Sequence, residues 1–217
     1  MSTTPQTIID NSIARKKDPD ETQWTDAVLL VYLNDALDYL RQLLIENRSR
    51  LAVDTSTITT TSGTDLYGFS SYTMTDLVAM FEGVNSEQTG VYCGNAFLSP
   101  VDEGEKVEYI GNVRDSSTPT MFYLTDTSIG FLPPVGGTFS IITYFYAKTS
   151  DLALDGVMPY NDLFNRALSK FMTSMALIEA GYIAADFTGI YNELERSAMA
   201  IVRKRTPTKM KIKYRRR

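Results

Sequence analysis

The hydrophobic period of this chain changes twice, and those two changes limit what it can fold into. From Thr25 onward, Leu29, Leu30, Leu33, Ala36, Leu37, Leu40, Leu43 and Leu44 recur at the i, i+3, i+4, i+7 spacing of one helix face. Thr25 stands where a cap is needed and Asp26 in the first turn, where the helix dipole favours an acid. Beyond Leu51 the period drops to two. Thr-rich, β-branched and aromatic runs broken by Gly, Ser, Asn and Pro fill residues of about 52 to 148. Helical spacing returns at Tyr160, with Phe164, Ala167, Leu168, Phe171, Met175 and Ile178 on one face. After a break near Gly181, Phe187, Ile190, Tyr191, Leu194, Ala198 and Ile201 line up in the same way.

The predicted class is therefore α+β: a helical bundle of long antiparallel helices with an inserted all-β domain and an extended C-terminal tail. Its expected divisions are 1–51 and 151–205 for the bundle, 52–150 for the β insert and 206–217 for the tail. Ahead of the long helix, "TPQTIIDNSIARKKD" reads as one short helix ended by the polar run around Asp18 and Pro19. Within the insert, Met121 to Leu132 reads as a hairpin around "TDTS". Thr138 to Ala147, apolar or aromatic on both faces, reads as a central strand.

Little catalytic chemistry is encoded. The chain has no His and a single Cys, Cys93, so imidazole acid–base work, most zinc sites and any internal disulfide are excluded. Cys93 reads as a small core residue. Asp102, Glu103 and Glu105 in "VDEGEKVE" are oxygen donors for a hard cation in principle, but they lack the ordered alternation of a calcium loop and read as a solvated turn, as do Asp18, Asp20 and Glu21. Gly136-Gly137 follows two prolines and leads into a strand, which is not a phosphate cradle. No catalytic residue, metal site or cofactor is expected, and the chain is not read as an enzyme. There is no apolar run of about 18 residues, so no membrane association is expected. The opening "MSTTPQTIIDNS" lacks the pattern of a secretory signal, which points to synthesis in a cytoplasm. Trp24, at the mouth of the long helix, reads as an anchor that fastens the preceding segment to the core.

Charge is unevenly placed. Nine of the 21 Lys and Arg lie in Arg203 to Arg217, leaving the remainder of the chain at about −14. Within "KMKIKYRRR", Lys209, Lys211, Lys213 and Arg215 alternate with Met210, Ile212 and Tyr214, and Arg216 and Arg217 end the run. Period two describes an amphipathic strand, suited to pairing with a partner's sheet; neutralising phosphates needs no apolar face. The eleven residues from Pro207 span roughly 35–40 Å when extended. The competing reading is a nucleic-acid-binding module that uses the basic tail.

Three segments carry a resemblance. "WTDAVLLVYLNDALDYL", Trp24 to Leu40, resembles the first long helix of bacteriophage head-to-tail adaptor (connector) proteins. "TPTMFYLTDTSIGFLPPVGGTFSIITYFYAKTSDLAL", Thr118 to Leu154, looks like the strand, hairpin, Pro-Pro loop and aromatic strand of that family. "MPYNDLFNRALSKFM", Met158 to Met172, is similar to its re-entry into a helix, which marks Pro159 and Tyr160 as anchors beside Trp24. The matches come in the family's order, while the insert before Ser99 has no counterpart. The resemblance implies a structural virion protein of the neck, assembled in the host cytoplasm. Its subunits would form a ring, typically of twelve, that extends the DNA channel beneath the portal without sequence-specific DNA contact and offers a platform to the next tail or neck protein. It also implies that the tail, Lys209 to Arg217, docks on the portal protein.

Overall fold

The computed structural model of the chain describes residues 3–74, 76–81, 90–105, 118–148, 150–160, 162–184 and 186–205. By Cα proximity it divides into two units, one of residues 1–43 with 150–217 and the other of residues 44–149.

The first unit begins with α1 (Pro5–Asp10) and α2 (Ile13–Lys17) where a single helix was expected. Ser12 explains the break, because its hydroxyl accepts from the Arg15 N–H at 3.1 Å and caps a new helix. Next comes α3 (Asp26–Glu46), which belongs to this unit as far as Leu43 and whose Leu29, Leu33, Ala36, Leu37 and Leu40 are buried. After the β region the chain runs irregularly from Ser150 to Tyr160, then forms α4 (Asn165–Glu179) and α5 (Phe187–Arg205). Gly181, at φ 72° beyond the end of α4, takes the left-handed conformation that closes a helix. The Tyr191 ring of α5 lies between Tyr39 of α3 and Phe171 of α4, with centroids 4.7 and 5.0 Å away.

This arrangement corrects the expectation of a bundle of long antiparallel helices. The chain is mixed α+β: among the described residues there are five α-helices, two of them only six and five residues long, against nine strands. Helical period reports that a stripe must be buried and says nothing about what covers it. Part of what lies beside α3 is irregular chain, since the Asn34 side chain accepts from the Leu152 N–H (3.1 Å) and donates to the Leu152 carbonyl (3.3 Å).

The second unit holds all nine strands: β1 (Asp54–Thr59), β2 (Leu66–Gly68), β3 (Leu77–Met80), β4 (Val91–Cys93), β5 (Ala96–Phe97), β6 (Ser99–Pro100), β7 (Met121–Leu124), β8 (Ser128–Leu132) and β9 (Ser140–Ala147). They form two sheets, one in the order β1-β9-β4-β5 with β3 also on β9, the other in the order β2-β8-β7-β6. The Met121–Leu132 hairpin is β7 and β8, antiparallel from Met121 opposite Leu132 to Leu124 opposite Ile129. The long strand is β9, which pairs with β1, β3 and β4 and is central to the first sheet.

Ile58, Val91, Ile141 and Phe145 of the first sheet share one apolar cluster with Tyr67, Phe122, Ile129 and Phe131 of the second. Cys93 packs partly buried against this cluster, and burial pushes its thiol pKa up. Gly90 is held at a close approach: a Cβ there would stand 2.3 Å from the Tyr144 carbonyl oxygen.

Candidate functional site

The turn before α3 is built around one carboxylate. Asp18 is buried and accepts from the backbone N–H groups of Trp24 (2.7 Å), Gln23 (2.8 Å) and Thr22 (3.1 Å), and from the Thr22 hydroxyl (2.8 Å). The Trp24 N–H lowers its pKa most, and the other donors add to that against the opposing effect of burial. The carboxyl sits at about 2 instead of 3.8. Arg15 completes the turn from the other side, donating to the Trp24 carbonyl (3.1 Å) and the Asp18 carbonyl (3.3 Å) and pairing with Asp26. Glu21 takes φ 54° to make the bend. Trp24 is thereby buried at 3% exposure, with its ring edge-on to Tyr182 at 6.2 Å. The Asp18 carboxylate is a structural acceptor whose described partners are the backbone and hydroxyl groups of the turn. Sequence reading took it for part of a solvated turn, because three of its four donors are backbone N–H groups that no side-chain pattern reveals.

Tyr160 is buried, its hydroxyl accepting from the Arg41 guanidinium at 3.3 Å and its ring 6.2 Å from Phe164. Pro159, beside it, is exposed. Asp102, Glu103 and Glu105 are exposed in a short 3-10 turn. Among the described residues no three His, Cys, Asp or Glu stand close enough to hold a metal ion, and no helix is long and apolar enough to cross a membrane. The expected docking residues Lys209, Met210, Lys211, Ile212, Lys213, Tyr214, Arg215, Arg216 and Arg217 lie outside the described residues.

One concave surface was missed by sequence reading altogether. In the second unit a cavity of about 710 Å³ opens on the first sheet, lined by Arg50, Val53, Thr55, Phe81, Tyr92, Gly94, Asn95, Ile142 and Tyr144. Strand pairing brings these distant segments together: Tyr92 is opposite Ile142 and Thr55 opposite Tyr144. The Tyr92 and Tyr144 rings meet edge to face at 5.8 Å. The available signal was β9 itself, where Ile142 and Tyr144 alternate with the buried Ile141, Thr143 and Phe145 and make the second face apolar as well.

The family model described as SU10 adaptor protein matches residues 3–211. No curated protein matches the chain.

Proposed function

The chain belongs to the SU10 adaptor protein family, and from that premise we propose that it forms a ring beneath the viral portal, extends the DNA channel and presents a platform for the tail. Membership carries the coarse statement: this is a bacteriophage structural adaptor, a component of the virion that interacts with other head and tail proteins. The finer reading assigns the portal contact to Lys209–Arg217, whose alternating basic and apolar residues suit addition to a sheet edge. DNA passes through such a ring without being gripped, because a chain of about −14 outside its last fifteen residues repels phosphate.

The single observation that carries this reading is the family match over nearly the whole chain, which reaches into the tail at residue 211. The test is reconstitution with the portal protein of the same virus, followed by electron microscopy of the product. The expected result is a ring of this chain seated on the portal ring and its loss when residues 206–217 are removed. Failure of the intact chain to associate with the portal contradicts it.

A further inference from the structure

The sheet formed by β1, β9, β4 and β5 carries apolar side chains on both faces. One packs into the core through Ile141 and Phe145; the other carries Ile142, Tyr144 and Tyr92 into the cavity of about 710 Å³. An antiparallel sheet whose second face only meets water alternates to polar residues there. That volume falls within the roughly 300–1,000 Å³ of small binding sites.

The charge of the described lining is positive. Among the described residues that line the cavity there is no Asp or Glu and one cation, Arg50. The Arg50 guanidinium lies 5.8 Å from the centre of the Phe81 ring and forms no ion pair among the described residues. Stacking on a ring orients the guanidinium plane while leaving its fork of donors open. Thr55 and Asn95 add exposed polar groups at the same surface.

We propose that this cavity is a binding site for a protein segment that presents a carboxylate side chain next to an aromatic or aliphatic one. The carboxylate takes the two-pronged, charge-assisted hydrogen bonds of Arg50; the apolar neighbour packs on Tyr92, Tyr144 and Ile142. Charge complementarity selects this occupant, since a basic segment meets the like charge of Arg50 and a purely apolar one offers its guanidinium no acceptor. The inference rests on the adaptor reading only for the source of the segment, a neighbouring virion protein.

The test titrates the full-length protein with acetyl-Val-Asp-Tyr-Val-amide and with its Asn and Lys analogues, followed by NMR of the Tyr92 and Tyr144 rings and the Ile142 methyl groups. The expected result is binding of the Asp peptide about tenfold tighter than the Asn peptide, with the Lys peptide weakest. Arg50→Gln, on an exposed side chain, is expected to abolish the preference for Asp over Asn while apolar contact shifts persist. Equal binding of the Asp and Asn peptides, an unchanged preference in Arg50→Gln, no binding of any peptide, or stronger binding of a dT hexanucleotide at the same rings overturns the proposal. The experiment involves no portal, so its failure leaves the adaptor reading standing, and failure of portal association leaves this site standing.

Discussion

The carboxylate of Asp18 accepts a 2.7 Å hydrogen bond from the backbone N–H of Trp24, and three further donors from Thr22 and Gln23 complete its shell. A side chain six residues away thus fixes the entry to α3 and buries the only tryptophan of the chain. The charged form of Asp18 is what those donors favour, so the turn is coupled to pH.

Because the folded pKa of Asp18 is depressed, its contribution to stability is fully present above the ordinary carboxylate value of 3.8 and is lost as pH falls through about 2. Trp24 fluorescence reports the turn directly. The parent protein is expected to lose stability between pH 4 and pH 2 in excess of Asp18→Asn, which starts less stable at pH 6. A constant difference between the two across that window contradicts the assignment.

Gly90→Ala is expected to destabilise the β unit, because the added methyl meets the Tyr144 carbonyl oxygen at 2.3 Å and the Phe81 carbonyl oxygen at 2.9 Å, both backbone atoms that cannot swing aside as a side chain can. Overpacking of this kind costs about 1–3 kcal/mol. Urea unfolding measures it, and a midpoint equal to that of the parent rules out the close approach.

Tyr191→Ala removes two edge-to-face contacts, with Tyr39 and with Phe171. Each is worth about 0.5–1.5 kcal/mol beyond simple burial. In a double-mutant cycle the Tyr39→Ala and Tyr191→Ala losses are expected to be less than additive, since the pair shares one contact. Strict additivity shows that the rings do not interact.

Legibility in the sequence followed the range of the interactions. The α3 stripe repeats locally, and its predicted span from Thr25 ends within a residue or so of Asp26–Glu46. The two-faced apolar run of β9 likewise identified a central strand. What failed was everything set by partners distant in sequence. The period of the helices did not show that irregular chain around Leu152 would clamp Asn34, and the bundle reading fell with it. Nor does any local pattern bring Arg50 to Phe81, or Thr55 opposite Tyr144. Asp18 looked like one more acid in a polar run because three of its four donors are main-chain groups.

Isolated in solution, the protein is expected to be mostly monomeric, since neighbouring acidic surfaces repel and ring closure needs a template with compensating contacts. Light scattering at moderate salt should give a mass near 24.3 kDa. A stable ring formed without any partner contradicts this.

The central claim is that the tail joins this adaptor to a protein partner through a strand, and the most direct measurement compares two variants for association with portal rings. Replacing Met210, Ile212 and Tyr214 with Ser keeps all nine basic residues of Arg203–Arg217 and removes side chains worth roughly 1.5–3 kcal/mol apiece when fully buried. Replacing Lys209, Lys211, Lys213 and Arg215 with Ser keeps the apolar face and removes the charge. The account predicts that the triple-Ser variant loses most of its hold on the portal and that the charge variant retains a measurable part, increasingly so at high salt relative to the parent. Undiminished portal association of the triple-Ser variant, with complete loss in the charge variant, contradicts it.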